Sequence, residues 1–210
     1  MDGPSIERAL EAALLAPDEA LALLVEAVRE APTSARRLEA TLVLGSLAGR
    51  AHGASWEVAE RAAFVLLEVA RETDAPVERA ALLGAMGRAL RNAWLVPYVH
   101  ARLDDGDPLV AGAAIAAAGG LAFPALEAAV ARFLDADAPR ALRLGALAAL
   151  GRMGAQSAWE RVAQLVGAGG DEAAAALAAL TEIRSPAVEE RAIGLLAGPP
   201  DRGARAAGGG

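Results

Sequence analysis

A repeated glycine does most to limit what this chain can fold into. Three tripeptides, Ala85-Met86-Gly87, Ala117-Ala118-Gly119 and Ala149-Leu150-Gly151, place their glycines 32 residues apart, and an earlier copy, Val43-Leu44-Gly45, precedes Gly87 by 42 residues. The agreement extends around each glycine. Four residues upstream stand Thr41, Leu83, Ile115 and Leu147, and eight upstream stand Arg37, Arg79, Ala111 and Arg143. Self-similarity at a period of about 20 to 50 residues marks a stack of supersecondary units in which each unit buries its apolar face on its neighbours.

The units are helical. The chain has 57 alanines among its 210 residues, with few β-branched and aromatic residues, which favours close-packed helices and argues against a sheet. Asp74-Ala75-Pro76, Asp107-Pro108 and Asp137-Ala138-Pro139 precede the copies. Asp caps a helix and Pro suits its first turn, so these are start signals. After each glycine comes a second helix rich in Leu, Val and aromatics, so the unit reads as a helical hairpin. Apolar periodicity predicts about twelve helices, at 5–15, 17–30, 34–49, 55–72, 76–90, 94–104, 108–119, 122–134, 139–152, 156–167, 171–183 and 186–197. The expected fold is all-α, one repeat domain over 1–197 of about six hairpins, with a disordered Gly- and Pro-rich tail over 198–210.

The most regular copy runs Asp137-Ala138-Pro139-Arg140-Ala141-Leu142-Arg143-Leu144-Gly145-Ala146-Leu147-Ala148-Ala149-Leu150-Gly151. This pattern resembles the HEAT repeat, in particular the short bacterial form named after phycobilisome lyases. The resemblance covers roughly 31–197 and is strongest from 74 to 167. It implies an α-solenoid of the armadillo and HEAT kind, and since such arrays serve many purposes it implies little about chemistry. Ala111 departs from the repeat's arginine, and the copy from Asp171 to Ile183 lacks both the arginine and the glycine, as a terminal capping repeat can. In HEAT proteins the repeated arginine pairs with an aspartate of a neighbouring unit. The resemblance favours Arg37, Arg79 and Arg143 as a structural ladder with Asp74, Asp107 and Asp137 as partners, and direct ligand binding, with an Asp freed by the gap at Ala111, is the alternative.

Arg88 and Arg152 directly follow their glycines and lie nine residues after Arg79 and Arg143, about half a turn out of phase. They are expected to be exposed and are the candidate protein-binding residues. Trp56, Trp94, Tyr98, Phe123, Phe133 and Trp159 fall near the second helices and are expected mostly in the core, filling space that alanine leaves. His52 lies in an expected loop and His100 in a helix with Asp104 four residues on, too sparse a set for a zinc site. Asp104-Asp105-Gly106-Asp107 lacks the alternating ligands and terminal Glu of a calcium loop. There is no Cys and no Lys, and no nucleotide-binding glycine motif or nucleophile elbow occurs in a suitable context.

These observations lead to a non-catalytic scaffold that needs no cofactor and binds a protein or peptide on the concave face of the solenoid, and to a monomer as the expected state. The start Met1-Asp2-Gly3-Pro4 lacks the basic region of a signal peptide, and the one long uncharged run, 108–126, is mostly Ala and Gly with Pro108 and Pro124, a poor membrane span. A cytoplasmic protein without membrane contact is the expectation. A chromophore- or ligand-handling role follows from the lyase resemblance as the alternative. DNA binding in the manner of HEAT-like glycosylases ranks last, because those proteins need a basic face and this chain carries a net charge of −7. Too few clustered cations are present to release counterions from DNA. Gel shifts at physiological salt should detect no binding to duplex DNA at low micromolar protein, and a salt-sensitive shift would overturn that expectation.

Overall fold

A computed structural model describes residues 16–31, 33–50, 56–89 and 91–183. The helices expected at 5–15 and 186–197, the tail from 198, and His52 lie outside the described residues. Of the described residues 82% are helical, and no strand occurs among them. The helices are α1 (Pro17–Arg29), α2 (Ser34–Arg50), α3 (Trp56–Arg71), α4 (Pro76–Met86), α5 (Val96–Arg102), α6 (Pro108–Leu121), α7 (Glu127–Ala131), α8 (Arg140–Met153), α9 (Trp159–Leu165) and α10 (Gly170–Glu182). Short 3-10 turns, Ala93–Leu95, Pro124–Leu126 and Gln156–Ala158, lead into α5, α7 and α9.

The start signals work through proline more than through aspartate. Pro17, Pro76 and Pro108 each occupy the first helical position, where the missing N–H costs nothing. Asp107 alone of the three expected caps serves as one, its Oδ1 accepting from Leu109 N at 2.8 Å. The residues at the cap positions of α4 and α8 are Ala75 and Pro139, which leaves Asp74 and Asp137 outside that role. The ends are set by left-handed residues. Gly154 (φ 63°) closes α8, and Ala122 (φ 51°), three residues after Gly119 as Gly154 is after Gly151, closes α6. Helix α4 stops at Met86, four residues before the expected end, and the chain turns through Gly87 and Arg88.

Two sets of helices result. The first helices lie side by side: α4 packs between α2 and α6, α6 between α4 and α8, and α8 between α6 and α10. The second helices α5, α7 and α9 pack chiefly on the first helix that follows them, not on the one that precedes them. For these three the pairing is the expected hairpin shifted by one helix, whereas α3 packs chiefly on α2, the first helix before it, as expected. An alternating stack has no intrinsic unit boundary, so this changes the unit and leaves the order intact. One continuous apolar cluster runs from Ala20 to Ile183, with Leu44, Leu66, Leu83, Ile115, Leu126, Leu147 and Val162 fully buried.

The repeated glycine is the joint between successive first helices. A Cβ built on Gly87 would stand 2.9 Å from Ala117 Cα, one on Gly119 2.8 Å from Ala149 Cα, and one on Gly151 3.0 Å from Ala179 Cα. Gly45 opposes the backbone of Ala85 in the same way. Each partner alanine lies two positions before the glycine of its own copy, or before Thr181 in the last. The sequence rule is therefore a glycine that receives the next helix and an alanine that approaches it. Gly120 adds a second close contact, where a Cβ would collide with the Gly87 carbonyl oxygen.

Gly84 lies in α4 with nothing within 4 Å of its Cβ position. Gly84→Ala should therefore stabilise the protein by about 0.5 to 1 kcal/mol, by removing backbone entropy from the unfolded chain. Gly120→Ala should destabilise it by about 1 to 3 kcal/mol, through overpacking against backbone that cannot yield. Urea denaturation of the two variants checks the pair, and equal effects would show that the joint is not close-packed.

Candidate interaction surfaces

Arg79 and Arg143 are structural, but their partners differ from those expected. Arg79 Nη1 lies 3.3 Å from Asp105 Oδ2, while its Nη2 donates to Asp74 O at 3.0 Å and its Nε to Thr73 O at 3.4 Å. Arg143 donates to Glu172 Oε1 from Nη2 at 2.7 Å and from Nε at 3.2 Å, and Nη1 donates to the carbonyls of Ala136 and Ala138. Each guanidinium thus fastens the turn before its own helix and reaches one carboxylate farther along the chain. The Asp74 carboxylate is fully exposed and 3.9 Å from Arg79, a contact with little energetic weight. Asp107 is occupied in capping α6. Ala111 is buried, so the copy without arginine closes over the position. Arg37, together with Arg29, Glu68 and Glu72, lines a shallow cleft formed by α1, α2 and α3.

Asp105 is the centre of the better-developed cluster. Its Oδ1 accepts from Asp107 N at 3.1 Å, and its Oδ2 accepts from Arg79 and from Arg102 Nη1 at 3.2 Å. The Asp107 hydrogen bond, assisted by the two arginines, holds its pKa below the ordinary carboxylate value against the opposing effect of burial. The Arg102 guanidinium lies 5.2 Å from the centre of the Tyr98 ring. The Tyr98 hydroxyl is buried, and burial raises its pKa against the opposing effect of the neighbouring Arg102 guanidinium.

Arg88 and Arg152 are exposed, and both reach back to the preceding first helix. Arg88 Nη1 lies 3.4 Å from Ser46 Oγ, and Arg152 Nη2 lies 3.5 Å from Ala116 O. They belong to a face that recurs along the first helices. One turn before the row of Arg88, Gly120, Arg152 and Glu182 come Gly84, Ala116, Ala148 and Ala178, all four exposed. Seven residues earlier again, on the same helical face, Val77 is 67% exposed and Leu109 52%. Ala148, Arg152, Ala178 and Glu182 line a shallow groove between α8 and α10.

Two aromatics expected in the core are on the surface. Trp56 is 60% exposed and Trp94 53%, and Phe64, which sequence reasoning passed over, is 44% exposed. Tyr98, Phe123, Phe133 and Trp159 pack against the core as partly buried side chains. The 3-10 turns explain Trp94. Their last residues, Leu95, Leu126 and Ala158, are buried, whereas their middle residues, Trp94, Ala125 and Ser157, face solvent. Aligning the copies on these turns, instead of on the glycines, was the signal available in the sequence.

Because the pKa of Asp105 is depressed in the folded state, its stabilising contribution is present above the unfolded-state pKa and is lost as pH falls through the folded-state value. Asp105→Asn should cost about 1 to 3 kcal/mol at neutral pH, by leaving two half-buried arginines without their carboxylate. That deficit should shrink on acidification through the carboxylate range. Melting curves from pH 7 to about 2 check this, and a deficit constant across the range would show that the charge is irrelevant. Among the described residues no helix is long and apolar enough to cross a membrane. No protein-family model matches the chain, and no curated protein matches it in sequence.

Proposed function

We propose that this protein is a non-catalytic scaffold, a HEAT-like α-solenoid that binds a protein or peptide partner along the face of its first helices. One observation carries the reading: the same exposed positions recur on α4, α6, α8 and α10, giving a band of small apolar groups bordered by Arg88, Arg152 and Glu182. Stacked repeats offer a single partner several copies of one surface at once, and this is how they build affinity without a deep pocket. Alanine and glycine keep the band low, so a partner can approach the helix backbones closely.

Within such a band the energy of binding should concentrate in a few residues, and arginine is among the types favoured for that role. Arg88→Glu with Arg152→Glu should reduce capture of a partner, identified beforehand by affinity purification with the wild type, by about tenfold or more. The melting temperature should barely move, since exposed charges contribute little to folding. Capture that survives this double reversal but fails when α5 and α7 carry the changes would place the binding face on the other set of helices.

A further inference from the structure

A second surface is built differently. Trp56 and Glu60 on α3, together with Arg91, Asn92 and Trp94 from the turn before α5, line a groove of about 190 Å³. Its walls are held in place. Asn92 Oδ1 accepts from Trp94 N at 3.1 Å and its Nδ2 donates to Ala59 O at 3.2 Å, so this buried side chain ties the turn to α3. The Phe64 and Trp94 ring centres are 5.3 Å apart with the planes tilted by 41°, which supports one indole from behind. Arg91 is held in the left-handed region (φ 56°) while its N–H donates to Leu121 O at 3.1 Å. The fold does not need an indole at position 94, since the equivalent exposed positions hold Ala125 and Ser157.

The hydrogen-bonding inventory of the groove selects its occupant. Asn92 is committed on both sides. Three donor groups remain, the indole N–H of Trp56 and of Trp94 and the Arg91 guanidinium, and none of them bonds another described residue through its side chain. Among the described lining residues Glu60 supplies a free side-chain acceptor, and it forms no ion pair with Arg91 although both line the groove. A guest that is apolar, rich in acceptors and poor in donors matches this set. A proline-rich segment has those properties: its rings lie flat on aromatic faces, its carbonyls accept, and its prolines lack N–H groups. A wholly cationic guest is disfavoured by Arg91, whereas a single basic residue beside the prolines can pair with Glu60.

We propose that the Trp56–Trp94 groove is a docking site for a proline-rich, polyproline-II peptide carrying one basic residue. This surface is separate from the band on the first helices. The test uses a synthetic peptide of about ten residues, proline throughout except for one arginine, titrated against the full chain by calorimetry and indole fluorescence. Saturable binding is expected, weakened by about tenfold or more in Trp94→Ala and in Trp56→Ala. Glu60→Gln should weaken the arginine peptide and leave an all-proline peptide unaffected. Binding should persist in the Arg88→Glu, Arg152→Glu protein, which separates this inference from the proposed scaffold face. Circular dichroism melts confirm that each variant is folded, and Trp94→Phe, which keeps a ring and removes the N–H, should bind with intermediate affinity. The proposal is overturned if no saturable binding occurs, if a Gly-Ser peptide of equal length binds as well, or if folded Trp94→Ala binds like the wild type. It is equally overturned if sedimentation shows a dimer of the chain that Trp94→Ala dissolves, because the groove would then belong to a second copy.

Discussion

Everything in this structure depends on how closely the first helices approach one another. Where Gly87, Gly119 and Gly151 oppose Ala117, Ala149 and Ala179, main chain meets main chain with no side chain between. Glycine within a helix sacrifices about 1 kcal/mol relative to alanine, and α6 and α8 bear that cost at Gly119 and Gly151. It is offset because helices in van der Waals contact along their backbones gain dispersion contacts that bulkier residues would prevent. The alanine on the opposing helix is equally constrained, since any larger side chain there would push the pair apart. Two small residues, at fixed offsets in successive copies, thus determine the spacing of the stack.

Close approach has a consequence for the surface. Helices spaced by glycine and alanine cannot enclose a large cavity, so the first-helix face is a band of small groups. Charged residues are then distributed by burial. Arg79 and Arg143, which are half-buried, need full satisfaction and find it in backbone carbonyls plus Asp105 or Glu172. Arg88 and Arg152 make single long contacts at the limit of hydrogen bonding and keep most of their donors available. The same residue type therefore fastens turns at one position of the repeat and decorates the surface nine residues later.

How much of this was legible in the sequence can be judged residue by residue. The helices over the described residues, the glycine joints and the exposure of Arg88 and Arg152 follow from spacing alone, because a 32-residue period and a 3.6-residue turn fix register without any knowledge of packing. The arginine partners did not follow. Asp105 and Glu172 replace the expected aspartates because the guanidinium needs a carboxylate at a particular height and distance, while Asp107 is already bound to the N–H of Leu109. The end of α4 was misplaced for a similar reason. Leu83, Ala85 and Met86 continue the apolar pattern into Ala89, and only the turn to Asn92 shows that the helix stops at Met86.

The aromatics illustrate a more general limit. A tryptophan among alanines reads as core because burial of a large ring is the strongest stabilisation such a chain can obtain, and Trp159, packed against the core, fits that reasoning. Trp94 departs from it because the 3-10 turn before α5 has three residues per turn, which carries the burial pattern out of phase with the helix that follows. Leu95 takes the inward place, and the indole one residue earlier is turned outward against Phe64. Nothing in the core would be lost if position 94 were alanine, as position 125 is. A half-exposed indole braced by Phe64 beside a second exposed indole is therefore a property of the surface, which the demands of the core do not explain.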